Sequence, residues 1–196
     1  MKKTILSALI ISAISFGAKA QYIASDSVNL GPGGYLNDVF YSFKNGSIKT
    51  QPNSDWHLAF SVQASQFPTN PETGASIRVN TKLVLKKLPS SQSASNWRNI
   101  DTAGLYALPE LLNSDTTWDL GAFNAGYDKS GANIFDFKWG AYNQSTHNLE
   151  GTNVFVMIGS GIYKKIFISQ LDQDTAWRFI ISNLDNTDSS SVVIRK

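Results

Sequence analysis

Side chains that could do chemistry are few in this chain. It has 196 residues, no cysteine, two histidines (His57 and His147) and two methionines (Met1 and Met157). The histidines stand at neither i, i+2 nor i, i+4 spacing, so no zinc motif is present. Gly159-Ser160-Gly161 sets a serine between glycines. It lacks the full Gly-x-Ser-x-Gly elbow and lies between two strand-like runs, where a nucleophile elbow leads into a helix. Paired acids for glycoside cleavage stay open, because their separation is not legible in sequence. The pattern points to binding, not catalysis. His57 reads as a surface or polar-core histidine, with a ligand role as the alternative. His147 lies in the polar loop Ser145-Thr-His-Asn148, either solvated or making a binding contact. Met157 falls in an apolar run and is expected to pack in the core. The five tryptophans could form a sugar-stacking platform. Trp56, Trp139 and Trp177 are in phase with other apolar side chains and read as core. Trp97 and Trp118 fall outside strong strands and are the candidates for a surface contact.

The elements that would position these residues begin after a leader. Met1-Lys2-Lys3, the apolar run Thr4 to Phe16 and Ala18-Lys-Ala20 have the pattern of a secretory signal peptide cleaved before Gln21. The run is shorter than the roughly 20 residues a membrane span needs. No cysteine follows it, so a lipoprotein is not expected. The chain is therefore read as secreted, cell-surface or periplasmic, with residues 21–196 as one domain. The full chain carries 17 basic and 15 acidic residues. Residues 1–20 hold three lysines and no acid, which leaves 14 basic against 15 acidic groups. No basic stripe for nucleic acid or an anionic membrane is present. Without cysteines the hydrophobic core must hold the fold.

After the leader, Tyr22–Leu30 and Tyr35–Phe43 read as strands around a Gly31–Gly34 turn. Asn45-Gly46 predicts a type I′ hairpin turn. Asp55–Val62 reads as a strand with Trp56, Leu58, Phe60 and Val62 on its core face. Ala75–Asn80 and Lys82–Leu85 come after a long loop. Leu105–Leu112 is expected to form a short helix. Thr117–Leu120 and Asn133–Trp139 read as strands, with Phe135, Phe137 and Trp139 sharing a side. Asn153–Ile158 is apolar throughout, as in a strand buried on both faces. Ile162–Leu171 and Trp177–Ile181 form a hairpin, and Ser191–Arg195 closes the chain. Short strands with frequent turns give an all-β fold, a single-domain antiparallel β-sandwich or barrel-like structure with at most one or two short helices.

Three stretches resemble the HmuY family of secreted haem-binding proteins. They are Val39–Ser47 leading to Ser54-Asp-Trp-His-Leu-Ala-Phe60, then Ile77-Arg-Val-Asn80, then Tyr163–Ser169 with Trp177-Arg-Phe179. Together, in order, they span most of residues 21–196. The resemblance implies an all-β, hand-like fold gripping haem or another tetrapyrrole between loops. It also implies two axial ligands and a scavenging role in iron acquisition, possible delivery to an outer-membrane receptor, and no enzymatic activity. His57 occupies the Asp position of the family's Trp-Asp motif and is not a family ligand. One family ligand falls shortly after Trp139–Tyr142, which makes His147 the axial candidate, with Tyr142 beside it. Tyr106 is the candidate in the stretch expected to supply the second ligand, and Met157 is a further one. The rival reading is a surface interaction domain on the same scaffold that binds glycan or protein without haem. A sorting domain beyond Arg195, lost by truncation, also remains open.

Overall fold

The computed structural model describes residues 27–28, 36–67 and 69–196. The leader, the Gly31–Gly34 turn and all but two residues of the expected Tyr22–Leu30 strand lie outside them. In chain order the strands are β1 (Asn37–Ser42), β2 (Gly46–Pro52), β3 (Leu58–Phe60), β4 (Ile77–Val79), β5 (Val84–Lys87), β6 (Glu110–Leu111), β7 (Gly140–Asn143), β8 (Asn148–Gly151), β9 (Val154–Gly159), β10 (Ile162–Asp172), β11 (Ala176–Asn183) and β12 (Ser190–Arg195). The fold is all-β. The only helical elements among the described residues are short 3-10 segments, at Pro71–Gly74, Ala94–Asn99, Leu105–Ala107 and Ala122–Asn124.

The described residues fall into two compact units, one ending at Thr50 and one running Gln51–Lys196. The first carries β1 and β2 as far as Thr50, paired as a hairpin. Its turn differs from the Asn-Gly expectation. The Ser42 carbonyl accepts the Asn45 N–H at 3.2 Å, and only Gly46 takes a positive φ, 72°. The Ser42 hydroxyl accepts the amides of Lys44 and Asn45 at 3.2 and 3.3 Å. That favours a turn on Phe43-Lys44, with Gly46 in the left-handed position after it.

The second unit is built around β10. One edge of this long strand pairs with β11 along its length. Its other edge pairs first with β9, from Ile162 to Phe167, and then with β8 at Gln170 and Leu171. The change of partner coincides with an irregularity between Ile168 and Gln170, since a bulge bends the strand and re-aims its remaining residues. The sheet path is β12-β11-β10-β9-β5-β6, with β7 and β8 attached beside it. It is open, and no barrel closes among the described residues. A separate β3–β4 pair covers part of one face.

Alternation along β9 shows how the sheet is buried on both sides, as the apolar run predicts. Phe155 and Met157 join a large cluster with Ile77, Phe123, Trp139, Ile166, Ile168 and Trp177. Val154 and Val156 join a smaller cluster with Leu88, Leu105 and Phe167. Trp139 and Trp177 are fully buried, 5.5 Å apart between ring centroids. Truncating either to alanine would cost about 3–5 kcal/mol. Leu58 and Phe60 pack on the large cluster as expected, with Phe60 stacked on Phe179 at 5.2 Å. Val62 departs from the pattern, because β3 ends at Phe60 and Val62 is 72% exposed.

Three expected elements are replaced by irregular structure. The Leu105–Leu112 helix is one 3-10 turn, Leu105–Ala107, followed by β6. Pro109 disfavours a helical Leu108, whose φ and ψ are −66° and 145°. The buried Lys86 ammonium also takes the Tyr106 and Leu108 carbonyls as acceptors. Thr117–Leu120 forms no strand. There the Ser114 hydroxyl takes the Thr116 and Thr117 amides, and the Thr117 hydroxyl takes that of Asp119. Such local bonds compete with a ladder. Asn133–Trp139 reduces to one bridge, Asp136 with Ala141.

Candidate functional site

A cavity of about 740 Å³ opens in the second unit, within the size range of small-molecule sites. Its apolar walls include Phe67, Ile134, Phe135, Phe137, Leu149 and Leu171, and its polar rim includes Gln144, His147, Gln173 and Asp174. Two expected site residues, His147 and Tyr142, both line it.

The local sequence explains how His147 reaches the rim. β7 and β8 form a hairpin whose loop is Gln144-Ser-Thr-His147. Asn143 Oδ1 accepts the amides of Ser145 and Thr146 at 2.9 and 3.3 Å, which starts the turn. The His147 amide closes it on the Asn143 carbonyl at 2.8 Å. Glu150 braces the loop from β8, accepting from Asn143 Nδ2 at 2.8 Å and Thr146 Oγ1 at 3.1 Å. His147 sits at φ 59°, in the left-handed region where histidine is enriched. The polar loop expected from Asn143 to Asn148 is thus a tight, internally bonded turn.

Tyr142 lies at the end of β7, and its hydroxyl stands 2.8 Å from His147 Nδ1. Its ring stacks on Phe135 at 5.5 Å, and Phe135 stacks on Phe67 at 6.2 Å. The stack Phe67–Phe135–Tyr142 runs from the loop before β4 to the hairpin, where the His147 ring lies tilted 50° to Tyr142. With Nδ1 engaged by the tyrosine, Nε2 is the nitrogen left to meet a ligand. Fixing one imidazole nitrogen in this way sets the tautomer and orients the other.

The other two expected residues are placed away from the cavity. Met157 is 1% exposed inside the large cluster, where β9 is covered on both faces, so its sulfur cannot reach a ligand in the cavity. Tyr106 is 72% exposed, next to Leu105 of the smaller cluster on the opposite face of the sheet. Its hydroxyl is raised above the ordinary phenol value, first by a hydrogen bond to Tyr163. Sequence reasoning missed Phe67, Phe135 and Phe137 as lining residues, although the shared side of Phe135 and Phe137 was the available signal.

A haem fits this site in part. One imidazole and an apolar aromatic wall suit one axial bond and a tetrapyrrole face. The lining supplies no second imidazole, thiolate or thioether. Among the described residues, no three His, Cys, Asp or Glu side chains gather as a metal site, and no helix is long and apolar enough to cross a membrane. No family model, curated protein or solved structure compared with the chain matches it.

A second, shallower hollow of about 220 Å³ is lined by Arg78, Ser114, Asp115, Thr116, Thr117 and Trp118. Trp118 is 78% exposed, with the Arg78 guanidinium 4.5 Å from its ring. Arg78 is held by the carbonyls of Ser114 and Thr117 at 2.9 and 3.0 Å, and burial lowers its pKa. Trp97, the other surface candidate, instead packs on the smaller cluster with Lys165 over its ring.

Proposed function

We propose that the chain is an exported binding protein of HmuY-like type whose aromatic cavity takes a flat, largely apolar ligand, with haem or a related tetrapyrrole first. The observation that carries this reading is the His147–Tyr142 pair at the polar rim of a cavity with apolar walls. His147 is the single axial ligand, and Tyr142 fixes its ring. Such a protein scavenges haem outside the cell and passes it to an outer-membrane receptor. The ligand is held, not transformed, so no enzymatic step is assigned.

Haem titration of the full chain tests this. A saturable, shifted Soret band is expected, weakened at least tenfold in affinity by His147→Ala. Tyr142→Phe should retain the band and weaken binding less, because the imidazole stays but loses its fixed orientation. A spectrum equal to free haem plus protein would sink the haem reading.

The second reading is an interaction domain binding glycan through Trp118. The exposed indole, stacked on Arg78 beside the Asp115 carboxylate and Thr116 hydroxyl, suits the apolar face and hydroxyls of a sugar. Screening wild type and Trp118→Ala on a glycan array separates the readings. Retention that depends on Trp118 favours the glycan; no retention removes it.

A further inference from the structure

The turn between β10 and β11 is strained, and its side chains reach two different walls of the cavity. Gln173 and Asp174 take φ values of 40° and 63°, a left-handed conformation that costs L-residues roughly 1–2 kcal/mol each. The Thr175 amide closes the turn on the Asp172 carbonyl at 2.7 Å. On one side, the Gln173 amide donates to Asn148 Oδ1 at 3.0 Å and its Nε2 to the Thr146 carbonyl at 3.3 Å. Those two residues belong to the hairpin that presents His147. On the other side, Asp174 Oδ2 accepts the Ser65 amide at 2.7 Å, and Ser65, Phe67, Pro71 and Gly74 line the cavity from the segment before β4.

A buried ammonium completes this second attachment. The Lys196 side chain is 6% exposed. Its Nζ donates to the Gln63 carbonyl at 2.9 Å, to the Gly74 carbonyl at 2.6 Å and to the Asp174 carboxylate. A Cβ at Gly74 would meet Ser65 N at 2.7 Å and Asp174 Oδ1 at 2.9 Å, so the wall and the turn touch where only glycine fits. A charged side chain is seldom fully buried unless it is paired. Here all three ammonium donors are used on one wall and one turn.

We propose that Lys196 and Asp174 are positioning residues of the cavity. They form a latch that holds the wall bearing Phe67 at its distance from the hairpin bearing His147. Neither is an axial ligand. Releasing the latch frees the wall and leaves His147 and Tyr142 where they are. A ligand filling the cavity bridges both walls, so ligand and latch stabilise one another. That coupling rests on the ligand reading above; the latch itself does not.

Hydrogen exchange on the full chain, without ligand, tests the latch directly. In Lys196→Met and in Asp174→Asn, the amides of Ser65, Asn70, Thr73 and Ala75 should exchange at least tenfold faster than in wild type. Amides in β9, β10 and β11 should be unchanged. Unchanged wall amides in both variants would overturn the proposal, as would equal loss of protection across the sheet. In the ligand arm, haem transfer to apomyoglobin should be at least fivefold faster from Lys196→Met, at an unaltered Soret position. Faster wall exchange with unchanged haem release would overturn the coupling alone. Absence of haem binding by wild type would overturn the ligand reading and leave the latch to stand or fall on exchange.

Discussion

The two faces of the β10-centred sheet are covered in the same way and end differently. On both, part of the cover is irregular chain whose carbonyls have no ladder partners, and buried main-chain acceptors need donors. On both, lysine supplies them. On the smaller-cluster face, Lys86 donates to the Tyr106 and Leu108 carbonyls at 3.3 and 2.6 Å. Lys165, fully buried, donates to the Trp97 carbonyl and Asn186 Oδ1, both at 2.5 Å. On the other face Lys196 does the same for Gln63 and Gly74. In a chain with no cysteine, these ammonium groups do what a cross-link does elsewhere: they tie a loop to a strand at a chosen point. The difference lies in what fills the space beneath. Trp97, Ile100 and Leu108 occupy the gap on the smaller-cluster face. On the other face the wall is tied at its edge, and a cavity remains. An irregular cover tied at several points and filled becomes core; one tied at its rim becomes a site.

Among the lysine ties the largest expected effect comes from Lys165→Met. Apolar volume is conserved, yet the part-buried Trp97 carbonyl and Asn186 Oδ1 lose their donor, and an unsatisfied polar group costs about 1–3 kcal/mol where it is buried. A loss of about 3 kcal/mol in urea unfolding is expected, with haem affinity within twofold of wild type. If that affinity falls as in Lys196→Met, the two faces are not independent and the comparison fails. Lys86→Met should cost less, about 2 kcal/mol, by the same measurement. Its ion pair with Glu110, at 4.0 Å and with the glutamate 55% exposed, adds little.

Period decides which elements are legible in the sequence. β9, β10, β11 and β12 are readable because apolar and β-branched residues recur along them without Pro or Gly interruption. The alternation of Phe135 and Phe137 places them on one side even though no strand forms there. His147 and Tyr142 can be paired because they flank a short loop. Tyr106 and Met157 are not separable from them by sequence, since the face a residue takes depends on register across β5, β9 and β10. Lys86, Lys165 and Lys196 are the least visible. A lysine in a strand reads as a solvated side chain, and only tertiary structure reveals that a loop has laid its carbonyls over the ammonium. Asn45-Gly46 misleads for a related reason: the Ser42 hydroxyl, not the Asn-Gly pair, selects the turn.

The smallest expected effect is a slope with pH, and it separates the ammonium ties from the rest of the fold. Burial lowers the pKa of Lys165 and of Lys196 below the ordinary 10.5; in both, nearby carboxylates only partly oppose it. Well below the lowered values both folded and unfolded chains hold these protons, and the folded chain bears the full cost of the buried charges. Between the lowered values and 10.5 the unfolded chain binds more protons, so stability rises with pH. Tyr106 and Tyr127 act in the other sense, since both are raised above 10.0, Tyr106 by its bond to Tyr163 and Tyr127 by burial. Their deprotonation favours the unfolded chain, so the rise should turn over near pH 10. Urea midpoints measured from about pH 8 to 11 should therefore climb and then fall in wild type. Lys165→Met should climb less over the first part and fall alike over the second. A wild-type curve that declines steadily from pH 8 would mean that the ammonium ties contribute mainly as charges, through Asp174 and Asp185, and not as donors to the carbonyls they touch.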